Sequence, residues 1–509
     1  MLNEDKFLMV TITVDGKNIQ AKKDALLIDE LAKNNINIPH FCYHPALGKD
    51  GNCRMCMVEI EGKKRPQIAC DTPVQDGMVI RTKGENIERV KRSILELELI
   101  NHPIDCPICD QAGECSLQEY YMEVGLYESR LDTQKVQGKK HKDIGCSVVL
   151  DQERCVLCTR CVRFTKNITK TNELGVFNRA DGSVIDIYPG YPLANSYAMN
   201  VVDLCPVGAL TSKDFRFHKR VWFLTSDKGI CNGCARGCNI FVDHDKAKYE
   251  EDTIYRYRPR FNAKINGYFI CDYGRLSYKN ENLNMNSLPS IRGKQSEYEY
   301  ATTKILRLLK HHYGKVIFCV SASLSLEQIY AIRRMAYRYD ANLYGFEKAK
   351  DEEFGDDFLK LAQKDTNLTS LKLLGINSFD TNISEKCKSC ELVVFFGEIQ
   401  GEETFFKERT LINISSKEPQ NKEIFDVYLP MLTHTMNDGT YINHEGYVQF
   451  HKSQMQNSRE TKSLLELCSF FTEESFSTCK RVWENGLSDL MGEISFEAVQ
   501  KGPVKMELL

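Results

Sequence analysis

The chain has 509 residues, too many for one hydrophobic core, so several domains are expected. Its formal net charge of −3 gives no broad basic field for nucleic acid, and a basic run such as Lys139 to Lys142 reads as a solvated loop. The N-terminus lacks a secretion-signal core and runs such as Val316 to Val320 are far too short to span a bilayer, so a soluble, intracellular protein is expected. Sixteen of the 21 cysteines lie before residue 272, mostly at C-x2-C spacing. Without a secretion signal, such grouping favours metal binding over disulfides.

In chain order, Met9 to Val14 alternates apolar and polar residues, turns at Asp15-Gly16 and resumes as a second strand, a hairpin pattern. A helix follows, with Asp24 placed to cap it, Leu27, Ile28 and Leu31 at helical spacing, and Pro39 closing the segment. Then come Cys42, Cys53, Cys56 and Cys70, with a strand-like Met57 to Ile60 and a Glu61-Gly62 turn between the last two. This set resembles the β-grasp ferredoxin that holds a [2Fe-2S] cluster, in a variant whose first gap is ten residues where the plant type has four. Structural zinc is the rival reading, but zinc sites usually join two closely spaced pairs, and Cys42 and Cys70 stand alone.

From Asn86 to Ile100, Ile87, Val90, Ile94, Leu97 and Ile100 mark one face of a helix that must stop before His102-Pro103. It delivers the loop His102-Pro-Ile-Asp-Cys106-Pro-Ile-Cys109-Asp-Gln-Ala-Gly-Glu-Cys115, four metal-ligating side chains in one short stretch. Pro103 and Pro107 bias the backbone towards extended conformations, and Gly113 allows a turn before the last thiolate. The reading is a [4Fe-4S] site with one imidazole ligand; a neutral imidazole replacing a thiolate removes negative charge, so His102 is expected to tune the cluster's potential.

Cys155, Cys158 and Cys161, with Cys205-Pro206 far downstream, match the run C-x2-C-x2-C-x3-C-P of two-cluster ferredoxins, in which the fourth cysteine serves the other cluster. Counting back from Cys205 meets Val201, Ala198 and Asn195, and the first run's own fourth position is Thr165. One [4Fe-4S] site therefore remains, held by Cys155, Cys158, Cys161 and Cys205. Cys146 falls outside every spacing and reads as a small buried hydrophobe. The fourth set, Cys231, Cys234, Cys238 and Cys271, resembles the [4Fe-4S] domain that opens molybdopterin oxidoreductases.

The order of these four groups resembles the large iron-sulfur subunit of respiratory complex I, NADH:quinone oxidoreductase, over roughly the first 280 residues. The resemblance implies a wire through the Cys42, Cys155 and His102 groups, leading from a flavin-bearing or other donor subunit towards quinone. It places the Cys231 group off that path, and downstream iron-sulfur and quinone-site subunits among the partners. It also implies a peripheral position on the cytoplasmic side of a bacterial inner membrane, with no direct span. The cofactors are then one [2Fe-2S] and three [4Fe-4S] clusters. No G-x-G-x-x-G follows a strand, so flavin and NADH belong to a partner.

From residue 281 an α/β pattern takes over. Glu391 to Gly397 reads as a buried strand ending in a glycine turn, and Phe425 to Pro430 with Asn437 to Gln449 is similar to a segment shared by molybdopterin oxidoreductases and the complex I subunit. No molybdopterin is expected: the active members' lysine is missing from Cys271-Asp-Tyr273-Gly-Arg275, and the chain is short for a full cofactor domain. Cys387-x2-Cys390 has no partner pair and reads as structural, and helix is expected around Leu464, Leu465 and Leu467.

The fold class expected is multidomain α+β. A β-grasp [2Fe-2S] domain (1–85) is followed by the His-plus-three-Cys domain (86–135), a ferredoxin-like [4Fe-4S] domain (136–218) and a molybdopterin-oxidoreductase-type [4Fe-4S] domain (219–280). An abridged molybdopterin-oxidoreductase-like α/β region (281–455) and a helical tail (456–509) complete it. The alternative function is an iron-sulfur subunit of an NAD-linked hydrogenase or formate dehydrogenase, and a redox-inert scaffold is the non-enzyme reading. The hydrogenase subunit would not be expected to continue into a molybdopterin-like region, the formate dehydrogenase needs the missing lysine, and sixteen intact ligands speak against the scaffold.

Overall fold

The computed structural model describes residues 8–507 apart from 127, 131, 133, 146, 247–251, 380–387, 400, 407 and 457–459. Cys146 and Cys387 lie outside the described residues. The chain forms two compact units, Met1–Phe223 and Leu224–Leu509.

The first unit opens with a five-stranded sheet in the order Lys17–Lys22, Met9–Val14, Val79–Arg81, Met57–Ile60, Gln67–Ile68. The period-2 pattern buries Val10, Ile12 and Val14 on one face. Asp15 and Gly16 both take positive φ, 47° and 81°, as a tight hairpin of this twist requires. Helix Leu27–Lys33 covers the sheet with Leu27, Ile28 and Leu31.

Asp24 does not cap that helix. The cap position is Leu26, with no side-chain hydrogen bond, while Asp24 sits in the left-handed region and accepts from Gln75 Nε2 at 2.8 Å. The next helix, Glu85–Leu99, also differs from the expected face: Leu97 and Ile100 are 68% and 38% exposed. The buried residues are Ile87, Lys91 and Leu95, because Lys91 lays its stem inward and donates from Nζ to Thr82 O at 3.1 Å. The run at 139–142 is more than solvated loop, since Lys140 pairs with Glu153 at 2.8 Å and Asp105 at 3.3 Å, and Lys142 pairs with Asp186.

The second unit begins with an antiparallel sheet, Thr225–Ile230, Asn239–Asp245 and Thr253–Pro259. A seven-stranded sheet follows, in the order Lys294–Gln295, Ser290–Ile291, Val427–Pro430, Thr410–Ser415, Leu392–Phe396, Val316–Ser321, Asn342–Phe346, with its last five strands parallel. Val316–Ser321 and Leu392–Phe396 are buried throughout, as continuous apolar runs in a parallel sheet must be when both faces are covered. Gly397 ends the second of these with φ 96°. Helix Leu326–Tyr339 starts from a capping box between Ser325 and Gln328.

The described residues of 456–509, a stretch expected as a helical tail, contribute to the core of this sheet. Leu464, Leu467, Trp483 and Val499 join Ile329 and Met335 in one cluster, and Trp483 Nε1 donates to the buried Glu327 at 2.8 Å. Residues 439–442, 447–451 and 504–505 form a third small sheet in this unit.

Candidate metal centres

The loop after helix Leu27–Lys33 carries Cys42 and Cys53, strand Met57–Ile60 begins beside Cys56, and a short turn at Ala69–Asp71 supplies Cys70. All four are buried and interact through their sulfurs. Hydrogen bonds from Cys53 and Cys70 hold the Cys42 thiol well below its ordinary range, and one from Cys70 lowers Cys56. Cys53 and Cys70 are raised in turn by the same partners. Backbone N–H groups of Phe41 and Cys42 point at Cys53 Sγ at 3.5 and 3.4 Å. Such donors favour anionic sulfur.

The Cys155 set lines one small cavity together with Val156, Arg160, Val207 and Ala209. Burial first, then the neighbouring sulfurs, push Cys158 up to about 12, and Cys155 and Cys161 move the same way. Four thiols crowded out of water resist ionisation unless a cation offsets their charge, which the iron of a cluster would do.

In the His102 loop, Pro107 sits inside a single 3-10 turn, Cys106–Ile108, and Gly113 turns with φ 89°. Cys109 lies in the field of Cys106, and Cys115 in that of Cys109. Gly208 approaches so closely that a Cβ there would stand 2.4 Å from Cys109 Sγ. His102 is brought beside Arg154, which also lies near Cys109; burial lowers the imidazole to about 4, so it is neutral at pH 7, the form that ligates metal. Arg154 is itself held by Asp105 at 2.8 Å and Asp151 at 3.0 Å.

These three sets meet in one apolar core. Cys42, Cys53, Cys115 and Cys158 pack with Phe41, Met55, Leu95, Leu117, Val156, Val207 and Ala209. Two residues that spacing rules passed over tie the loops together. Arg163 donates to Leu47 O at 3.1 Å, Gly48 O at 2.8 Å and Cys42 O, and Arg160 to Tyr43 O at 2.6 Å and Leu204 O at 3.2 Å. Tyr120, one turn after Cys115, takes the N–H of His40 at 3.0 Å. The one available signal was their position, since both arginines flank Cys161 and would face whatever loop packs there.

In the second unit, Cys231, Cys234, Cys238 and Cys271 are all buried and feel one another's charge. Gly233 N donates to Cys231 Sγ at 3.4 Å and Gly274 N to Cys271 Sγ at 3.3 Å. A Cβ on Gly274 would lie 2.8 Å from Cys231 Sγ, so the backbone must be bare there. Cys390, Cys319, Cys468 and Cys479 are packed among apolar neighbours. Among the described residues no three His, Cys, Asp or Glu side chains converge as they would on a single chelated ion. What marks the sets is shared burial, mutual charge and bare glycines, a donor chemistry that fits iron-sulfur clusters.

Residues 8–85 match the family described as 2Fe-2S iron-sulfur cluster binding domain. Residues 91–130 match the NADH-ubiquinone oxidoreductase-G iron-sulfur binding region, and 145–211 the ferredoxin-like domain of NADH-quinone oxidoreductase subunit 3. The G subunit of the NADH-quinone oxidoreductase of Streptomyces coelicolor is 34% identical over 336 residues, 64% of this chain and 39% of that protein. The NADH-ubiquinone oxidoreductase 75 kDa subunit of Reclinomonas americana is 35% identical over 375 residues, 71% of this chain and 53% of its own. The chain thus spans about half the length, or less, of these relatives. An NAD+-reducing [NiFe]-hydrogenase crystal structure aligns with 42% of this chain and 91% of its own at 29% identity, with a TM-score of 0.38. Among the described residues, no helix is long and apolar enough to cross a membrane.

Proposed function

We propose that the chain belongs, through these iron-sulfur domains, to the family of the large iron-sulfur subunit (75 kDa type) of NADH:quinone oxidoreductase, and that it is the electron-transfer subunit of such a complex. On this reading Cys42, Cys53, Cys56 and Cys70 hold a [2Fe-2S] cluster. His102 with Cys106, Cys109 and Cys115, the Cys155 set and the Cys231 set each hold a [4Fe-4S] cluster. When bound, such clusters supply one-electron carriers between a donor subunit and the quinone side.

The observation that carries the proposal is the single apolar core shared by three ligand sets. Phe41, Met55, Val156 and Val207 exclude water from the space between the thiols, where a low dielectric strengthens every charge interaction. Arg160 and Arg163 fix the Cys42 and Cys155 loops in register, and the lowered His102 offers a neutral nitrogen.

We read the region after 281 as an abridged molybdopterin-oxidoreductase-like domain without that cofactor. The cavity at the carboxyl ends of its parallel strands, bounded by Ser321, Ser323, Lys348 and Gly397, is about 130 Å³. Ligand sites usually run from about 300 to 1,000 Å³. The partners proposed are a flavin-bearing or other donor subunit and downstream iron-sulfur and quinone-site subunits, with the chain peripheral on the cytoplasmic side of a bacterial inner membrane.

Affinity purification of the tagged chain from its native membranes tests this. Co-elution of a flavoprotein or ferredoxin-accepting subunit with quinone-reducing activity is expected. Recovery with a nickel-iron hydrogenase subunit, or without any redox partner, would overturn it.

A further inference from the structure

We infer that the segment from His434 to His451 is a positioning cradle that raises the reduction potential of the fourth cluster; this rests on the reading that Cys231, Cys234, Cys238 and Cys271 hold one. The segment lies about two hundred residues beyond the loop that carries Cys231, Cys234 and Cys238, yet its donors take that loop's carbonyls. His434 Nε2–H donates to Ile230 O at 2.8 Å, His444 N to Ala235 O at 3.0 Å, Asn443 Nδ2 to Arg236 O at 3.2 Å and Gln449 Nε2 to Gly237 O at 3.0 Å. His451 Nδ1 accepts the N–H of Ile230 at 3.1 Å, so the residue before the first ligand is gripped through both its N–H and its carbonyl.

The grip is internally complete. His434 Nδ1 accepts from Tyr441 OH at 3.0 Å, and His451 Nε2–H donates to His434 O at 3.1 Å, so each ring uses one donor and one acceptor and its tautomer is set. The rings stack with centroids 4.0 Å apart, and burial keeps both neutral. Gln449 Oε1 in turn accepts from Asn239 Nδ2 at 2.6 Å.

The chemical consequence follows from peptide dipoles. A carbonyl captured by a donor has its partial negative charge offset beside the cysteine loop, and the N–H groups of Gly233 and Gly274 face sulfur. Positive dipole ends at the sulfurs favour the reduced, more negative cluster, and hydrogen bonds to sulfur are a recognised lever on potential. Removing a carbonyl's captor leaves that negative charge uncompensated beside the thiolates and disfavours reduction.

The test is a redox titration of the fourth cluster's paramagnetic signal in purified complex, with iron content measured alongside. His434→Leu and Gln449→Met, each removing one captor, should shift its midpoint potential downward with full iron retained, whereas His434→Gln keeps a donor at the Nε2 position and should hold the wild-type value. Unchanged potentials in both captor-less variants, with iron intact and only thermal stability lowered, would overturn the cradle and leave a purely structural role. If His434→Leu fails to fold, Gln449→Met decides alone, together with the His434→Gln value. Cys234→Ser separates the two layers of the argument: if it removes no signal and no iron, the site reading itself falls.

Discussion

In assembled complex, Cys158→Ser is expected to abolish electron transfer from donor to quinone, whereas Cys234→Ser should leave turnover near the unsubstituted rate. Cys158 lies inside the apolar core that also contains Cys42, Cys53 and Cys115, so its ligand set stands among the other two. A serine there offers a harder, shorter ligand to a set whose thiols are already crowded and desolvated. On the proposed reading, losing that site interrupts the run of cysteine sets that share this core.

Cys234 belongs to a set in the second unit, beside a domain for which no molybdenum centre is proposed, so electrons have no evident reason to pass through it. Its loss should be felt as stability instead. Metal bound by a small domain contributes directly to folding free energy, and the loop it organises is the one held by His434, Asn443 and Gln449. Cys234→Ser should lower the yield of assembled complex and its thermal midpoint. Stopped-flow reduction of quinone by the two variants, normalised to assembled complex, compares them. Turnover lost as fully in Cys234→Ser as in Cys158→Ser would mean the fourth site lies on the path.

The second large effect is expected at His102. His102→Cys should still assemble a cluster, with a lower midpoint potential, because a thiolate adds a negative charge where a neutral imidazole stood. The surroundings can accept that charge: Arg154 lies close to both His102 and Cys109. Titration of the low-temperature paramagnetic signal reads the shift, and transfer beyond this cluster should slow as the step to it becomes uphill. An unchanged potential would mean that His102 is not a ligand.

The grouping of the cysteines was legible in the sequence because cluster chemistry asks for sulfur at short, fixed spacings, and those spacings can be read without knowledge of the fold. The hairpin at Asp15-Gly16 and the buried strand before Gly397 were legible for similar local reasons, one from turn chemistry and one from an unbroken apolar run. What escaped were partners joined through carbonyls. Arg163 reaches Gly48 across 115 residues and Gln449 reaches Gly237 across 212, and a carbonyl acceptor leaves no mark on residue identity.

Two local expectations failed for definite reasons. Asp24 had the right chemistry for a cap but entered the left-handed region and bonded Gln75 instead. The helix at Glu85–Leu99 buries a face displaced from the expected one, through Ile87, Lys91 and Leu95, since Lys91 can bury a stem that a count of apolar residues ignores. The helices after Leu464 were legible as helices, but their place in the sheet's core was not. Trp483 is drawn inward by Glu327, which also takes the N–H and hydroxyl of Thr440 at 2.8 and 2.6 Å.

Metal analysis of the anaerobically purified chain tests the four-site account most directly. Two irons from one [2Fe-2S] cluster and four from each of three [4Fe-4S] clusters predict about 14 irons per chain, with matching acid-labile sulfide and no stoichiometric zinc. Iron near about ten with zinc present would contradict it, because one cysteine set would then hold a structural zinc ion in place of a [4Fe-4S] cluster.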